Sequence, residues 1–248
     1  MPRRGSSTQS RTWIIGSSVA GPRHRRTGTR NQDAWRSVHT KHGTAVVVAD
    51  GVGSARFASE GSRLACAAAV TVFKSLHQTA TPSEVAEAVS SKWKSGIQGS
   101  NPSDFATTLL LAYRFSTGRL LVGGIGDGLI AVCSKGAADA YRVVDRPGGD
   151  FGETFAISSR SALQHWRFEE FDDADSDYGV LLATDGVSND LLEPRVPALI
   201  QYLRIRFERT NCMKWRRGLR KMLLDWPTPG STDDKTIAMM WRSRGKTT

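Results

Sequence analysis

Three times in this chain an apolar run stops at an aspartate followed by glycine: Val46-Val47-Val48-Ala49-Asp50-Gly51, Gly124-Ile125-Gly126-Asp127-Gly128 and Leu181-Leu182-Ala183-Thr184-Asp185-Gly186. A fourth acidic pair, Asp233-Asp234, stands just before the last apolar run, and Asp33 lies in the loop after the first. Short runs rich in Val, Leu and Ile read as strands. Carboxylates at the strand ends of one sheet system can converge, and a convergent group repels itself unless cations hold it. One Asp-Gly alone is ordinarily a turn or a strand cap. Gly126-Asp127-Gly128, between two strands, reads as a hairpin turn. The recurrence, not any single case, points to a site.

The donors are oxygens, with neither His nor Cys clustered among them, which favours hard octahedral ions such as Mg²⁺ or Mn²⁺ over zinc or copper. Glycine after each aspartate lets the backbone pass close to the ions, where a carbonyl can serve as a ligand. Two such ions acidify a bridging water, and the hydroxide can attack phosphorus in line without a side-chain nucleophile.

Further strands are expected over residues 13–19, 44–49, 107–113, 119–123, 129–133, 141–144, 166–171, 179–183 and 236–241. A helix is expected over 57–77, where Ala58, Leu64, Ala65, Ala68, Ala69, Val72 and Leu76 recur at three- and four-residue spacing. Pro82 opens another, to about residue 94, with Thr81 as its N-cap. Two more cover 195–209 and 211–224. Residues 21–30 read as a basic loop, 148–161 as a flap, and 172–177 as an acidic connection. Antiparallel strands in two groups, with helix pairs between and after them, predict an α+β fold, an αββα sandwich of two antiparallel β-sheets flanked by helices.

Composition removes several alternatives. The longest apolar run, residues 64–73, is too short to cross a bilayer, so no membrane association is expected. The basic start lacks the apolar stretch of a secretory signal. Cys66, Cys133 and Cys212 form neither a disulfide framework nor a zinc spacing, which suits a reducing cytoplasm. The net charge of +10 is concentrated in the first thirty residues and in the stretch from Arg204 to Lys221. Such runs can attract polyanions, yet no nucleic-acid motif accompanies them, and a solvated helix face and tail are the expectation. The segment 124–128 superficially resembles a dinucleotide loop, but a strand follows where that fingerprint needs a helix. No G-x-S-x-G elbow and no Walker A loop is present.

In order along residues 21–241, Arg30-Asn31-Gln32-Asp33-Ala34, Ala49-Asp50-Gly51-Val52-Gly53, Phe105-Ala106-Thr107-Thr108, Gly126-Asp127-Gly128, Glu153-Thr154, Ala183-Thr184-Asp185-Gly186-Val187 and Asp233-Asp234-Lys235-Thr236 resemble the motifs of the type 2C, or PPM, metal-dependent protein phosphatases, in particular their small bacterial branch. The resemblance implies a Mn²⁺- or Mg²⁺-dependent phosphoprotein phosphatase that hydrolyses phosphomonoesters through a metal-bridging hydroxide. Residues 12–243 would form its single domain, after a disordered basic N-terminus over 1–11. Asp50 would bridge two ions, one of them also held by the Gly51 carbonyl. Asp185 and Asp233 would complete the other shell, Asp33 would act through metal-bound water, and Asp127 with Asp185 would hold a weaker third ion. Phosphorylated Ser/Thr proteins, a cognate kinase and its targets are the partners implied, and a monomer is the default.

The sequence departs from the family pattern in places. Gln32 replaces the glutamate that many members carry before the first-motif aspartate, and Val52 stands where animal enzymes have a histidine linked to leaving-group protonation. Gly28 lies near the expected phosphate-gripping arginine, so Arg30 or Arg26 is the candidate clamp, guanidinium forks being suited to phosphate oxygens. His24 lies in the same loop as a candidate proton donor, against the plainer reading of a solvated side chain. The rival to an active enzyme is a weak or dead pseudophosphatase that binds phosphoproteins.

Overall fold

The computed structural model describes residues 11–134, 141–145, 155–172, 178–208 and 210–243. The run 43–50 is apolar without alternation because both faces of its strand are covered. Ala45, Val47 and Ala49 pack under helices, while Val46 and Val48 pack against a second sheet. That double burial makes a strand read as a continuous apolar block.

The strands are β1 (Arg11–Val19), β2 (Asp33–Thr40), β3 (Gly43–Asp50), β4 (Leu109–Phe115), β5 (Arg119–Ile125), β6 (Leu129–Ser134), β7 (Tyr141–Asp145), β8 (Arg167–Asp172), β9 (Tyr178–Ala183) and β10 (Lys235–Ser243). They form two five-stranded sheets, ordered β1-β10-β9-β6-β7 and β2-β3-β4-β5-β8, and all the pairings are antiparallel. Between the sheets lie Val46, Val48, Leu110, Ala112, Val180, Leu182, Ala238 and Met240.

The helices are α1 (Pro22–Thr27), α2 (Ala58–Ser75), α3 (Pro82–Gly96), α4 (Ala162–His165), α5 (Asp185–Ser188), α6 (Val196–Glu208) and α7 (Cys212–Leu224). The pair α2 and α3 covers the β3-β4 side with Ala65, Ala69, Phe73, Val89 and Trp93. The opposite sheet is covered by α6 and α7 through Ile200, Leu203, Phe207, Trp215 and Leu219. Each large side chain so buried contributes about 1.5–3 kcal/mol. The expected αββα sandwich is what the chain forms. At α3, Thr81 Oγ1 accepts from Glu84 N and Glu84 Oε2 accepts from Thr81 N at 2.7 Å. This reciprocal cap is worth about 1 kcal/mol.

Three expectations require correction. Gly126-Asp127-Gly128 is not a hairpin: β5 and β6 belong to different sheets, and the tripeptide carries the chain across the sandwich. Gly126 and Gly128, at φ +104 and +129, permit the change of direction. Asp33 is not in a loop but is the first residue of β2, a strand whose mixed polarity hid it because, at the edge of its sheet, it fully buries only Asp33 and Val38. The segment 21–30 contains the short helix α1, a single turn too brief for periodicity to reveal. Glu153 and Thr154, the first half of the flap and most of the acidic connection lie outside the described residues.

On α7 Lys214, Arg216, Arg217, Arg220 and Lys221 are exposed while Trp215, Leu219 and Leu223 are buried. Its charge is the solvated face of an amphipathic helix. No helix among the described residues is long and apolar enough to cross a membrane.

Candidate metal centre

Antiparallel pairing brings the end of one strand beside the start of the next, and this gathers the acidic residues at one edge of the sandwich. Asp50 ends β3 directly opposite Asp33 at the start of β2. Asp185 follows β9, Asp233 precedes β10, and Asp127 occupies the crossover after β5.

Their side chains sense one another. Burial raises the Asp50 carboxyl well above the usual range, and Asp33, Asp185 and Asp233 add their repulsion. Asp33 is pushed up to about 7, chiefly by burial, although hydrogen bonds from Thr236 and Thr184 oppose the rise. Asp185 is raised by burial and then by the nearby Asp127. The five aspartates singled out in the sequence are therefore one electrostatic group.

The backbone at Asp50-Gly51 is strapped in place. Thr107 Oγ1 donates to the Asp50 carbonyl at 2.7 Å, Thr108 N donates to the same oxygen at 2.8 Å, and Thr108 Oγ1 receives Asp50 N at 3.0 Å. Gly51 N donates to the Gln32 carbonyl at 3.2 Å. The return bond from Gln32 N, which a continued ladder would place on the Gly51 carbonyl, goes instead to Asp234 Oδ2 at 2.6 Å. The Gly51 carbonyl is thereby released from the ladder.

Asp234 is a structural carboxylate. Its Oδ1 accepts from Gly21 N at 2.8 Å and lies 2.9 Å from His24 Nδ1. His24, Asp233 and Asp234 place three ligand-type atoms within 4.8 Å of one another, but both Asp234 oxygens already have partners. Asp233, whose Oδ1 also takes the Asp234 amide at 2.8 Å, is the member of the pair whose charge reaches Asp50 and Asp185.

Two further residues hold the frame. Thr184 Oγ1 donates to Asp33 Oδ2 at 2.8 Å and receives Thr236 N at 3.1 Å, so it ties β2 to the opposite sheet. Lys235, 1% exposed, donates to the Gly186 carbonyl and, at 3.0 Å, to the Ser231 carbonyl, with Asp190 Oδ2 at 3.5 Å. It joins the turn bearing Asp185 to the loop bearing Asp233. A β-carbon on Gly186 would lie 1.9 Å from the Asp234 carbonyl, and one on Gly21 2.0 Å from the Asp233 carbonyl. Only glycine permits these approaches.

His24 is buried, contrary to the plainer expectation of a solvated loop residue. Arg26 and Arg30 are exposed, on α1 and just before Gln32. Sequence reasoning passed over the roles of Thr184, Asp190, Asp234 and Lys235, because a hydroxyl or a charge beside a motif carries no periodic signal. A lysine inside the final apolar run was the available hint.

The residues fit a divalent metal. Asp33 Oδ1 and Asp185 Oδ1 are buried with no hydrogen-bond partner, which is costly unless a cation or water held by one faces them. The donors are oxygens throughout, as Mg²⁺ and Mn²⁺ require.

Comparison with known proteins agrees with the fold. The chain resembles the catalytic domain of the serine/threonine phosphatase PstP in complex with two manganese ions, at 17% identity over 94% of this chain and 99% of that one, with a TM-score of 0.65. RsbX in complex with magnesium gives 14% identity, coverage of 94% and 96%, and a TM-score of 0.60. The S. agalactiae serine/threonine phosphatase gives 13% identity, coverage of 93% and 99%, and 0.65. These likenesses show the fold. A search of curated proteins finds no significant sequence match. The family profile described as protein phosphatase 2C matches residues 20–224, and with the fold and the acidic edge in place the chain belongs to the protein phosphatase 2C family.

Proposed function

We propose that this protein is a Mn²⁺- or Mg²⁺-dependent phosphatase acting on phosphoserine and phosphothreonine in proteins. The observation that carries the reading is the mutually repelling set Asp33, Asp50, Asp185 and Asp233, buried at Asp33 and partly buried at the others, with orphaned oxygens on Asp33 and Asp185. Family membership supports it, as does the presence of two manganese ions in PstP.

Asp50 and the released Gly51 carbonyl, with Asp185 and Asp233, are the residues that would hold two ions, and Asp127 beside Asp185 would serve a weaker third. Bound there, the ions would acidify water and neutralise phosphoryl oxygens. Asp33 accepts hydrogen bonds at the edge of this group and orients water rather than an ion. Gln32 contributes through its backbone, one face to Gly51 and the other to Asp234, so the missing glutamate charge there leaves the scaffold intact. Arg30 and Arg26, exposed beside the site, are the cations available to grip a phosphoryl group. His24, held by Asp234 through Nδ1, leaves Nε2 as the nitrogen free to exchange a proton with a leaving group. The working partners are phosphorylated proteins, a cognate kinase among them, in the cytoplasm.

Hydrolysis of para-nitrophenyl phosphate and a phosphothreonine peptide with Mn²⁺, Mg²⁺ or EDTA, for wild type and Asp185→Asn, tests the reading. Turnover that needs metal and falls at least about a hundredfold in the variant, as loss of one transition-state electrostatic contact does, supports it. A folded wild type inactive with every metal overturns it in favour of a phosphoprotein-binding pseudophosphatase.

A further inference from the structure

Away from the acidic edge, a cleft of about 480 Å³ opens between α3 and the segment leading into α4, a volume suited to a few residues of a bound chain. Glu87, Ser90, Ser91 and Lys94 line one wall, at the three- and four-residue spacing that puts them on one helix face. Arg160, Leu163 and Gln164 stand on the other.

Ser90 is 4% exposed, yet its Oγ has no hydrogen-bond partner. A buried hydroxyl without a partner is costly, so a ligand that supplies one is favoured at this spot. Leu163 is 52% exposed and offers an apolar contact beside it. Lys94 and Arg160 are exposed and outnumber the single acid, Glu87. A free hydroxyl, a side-chain amide, an exposed leucine and two cations are together the fittings for a peptide carrying a carboxylate, not for a bare anion, which would leave most of the volume empty.

The cleft is wired to the metal centre. Ile157 N donates to the Thr107 carbonyl at 2.9 Å, and Thr107 Oγ1 holds the Asp50 carbonyl. Ser159, also in the cleft lining, is only two residues further, at most about 7 Å of chain.

We propose that this cleft docks an acidic peptide segment of the phosphoprotein substrate, flanking the phosphorylated residue. The assignment of that segment to a substrate rests on the phosphatase reading; the docking itself does not.

The test is fluorescence anisotropy in EDTA with a labelled, unphosphorylated glutamate-rich hexapeptide and its glutamine counterpart. The glutamate peptide is expected to bind at least about threefold more tightly. Arg160→Glu and Lys94→Glu are each expected to weaken it about three- to tenfold, the range between an exposed ion pair and a charge-assisted hydrogen bond. Ser90→Ala should weaken both peptides by a smaller factor, and Arg216→Glu on α7 should change neither. Equal weakening by Arg216→Glu, equal binding of the two peptides, or no binding up to millimolar concentration would overturn the proposal. Para-nitrophenyl phosphate, too small to span the cleft and the centre, reports on the phosphatase reading separately.

Discussion

The backbone amide of Gln32 donates to Asp234 Oδ2 at 2.6 Å instead of to Gly51, the residue that one more step of the register beyond Asp33–Asp50 would set opposite it. One side chain thereby takes the amide that would otherwise close the pairing over the Gly51 carbonyl, the oxygen proposed above as a metal ligand. Replacing Asp234 with alanine should let the ladder close over Gly51, with Gln32 N taking the Gly51 carbonyl, and orphan the Gly21 amide and His24 Nδ1. We expect a loss of about 1–3 kcal/mol for each buried group left unsatisfied, and Mn²⁺ binding weakened at least about tenfold. Denaturant unfolding in EDTA reads the first and calorimetric metal titration the second. Metal affinity equal to wild type in a folded variant would remove Asp234 from any part in shaping the site.

Protonation provides an independent check. Asp33, Asp50 and Asp185 have raised carboxyl values in the folded protein, Asp33 at about 7. Between the unfolded value near 4 and the folded one, the native state holds protons that the unfolded chain has released. The metal-free protein therefore loses stability as pH rises from about 4 to about 7. In EDTA its Tm should be lower at pH 8 than at pH 5.5, each kcal/mol corresponding to about 2–4 °C in a domain of this size. Mn²⁺, competing with those protons, should raise Tm more at pH 8 than at pH 5.5. Asp50→Asn should flatten the metal-free slope. A metal-free protein that becomes steadily more stable from pH 5.5 to 8 would contradict this account.

Gly186 offers a purely steric case. Its missing β-carbon is the space that the Asp234 carbonyl occupies, and neither backbone can move without displacing Asp185 or Asp233. Gly186→Ala should cost about 1–3 kcal/mol of stability, the range for overpacking, and should lower metal affinity as well. Gly99→Ala, far from the site at a positive φ with open space around it, serves as the comparison: it should lose stability through its backbone strain alone and keep its metal affinity.

How much of this was legible in the sequence depends on the range of each signal. β3 was readable as a continuous apolar block and α2 because burial of one face imposes a period, and Thr81 and Pro82 announced the start of α3 by local chemistry. Asp50, Asp127 and Asp185 were readable because each stands where an apolar run stops. That Asp33 faces Asp50, that Gly126-Asp127-Gly128 crosses between sheets, and that His24 meets Asp234 are pairings between distant segments, 210 residues apart in the last case. An edge strand of mixed polarity such as β2 and a six-residue helix such as α1 leave too few apolar positions to read, so the partners they present stay hidden until the fold brings them together.

Lys235 and Asp190 make the most direct test of how the loops bearing Asp185 and Asp233 are joined. Their side chains are 2% and 0% exposed, and Asp190 Oδ1 also takes Gly230 N at 2.6 Å and Ser231 N at 3.1 Å. Lys235→Met removes the charge and both carbonyl contacts while keeping the bulk, and leaves a buried carboxylate with fewer partners; a loss of about 3–5 kcal/mol is expected. Asp190→Asn keeps the shape and should cost less. Because each change removes the same pairing, the double variant should be more stable than the sum of the two losses allows, by about 0.5–3 kcal/mol. Strict additivity in denaturant unfolding would mean that the 3.5 Å approach carries no coupling and that the lysine acts only through Gly186 and Ser231. Coupling in Mn²⁺ affinity as well as in stability would show that the pair sets the distance between Asp185 and Asp233, since neither residue is a ligand itself.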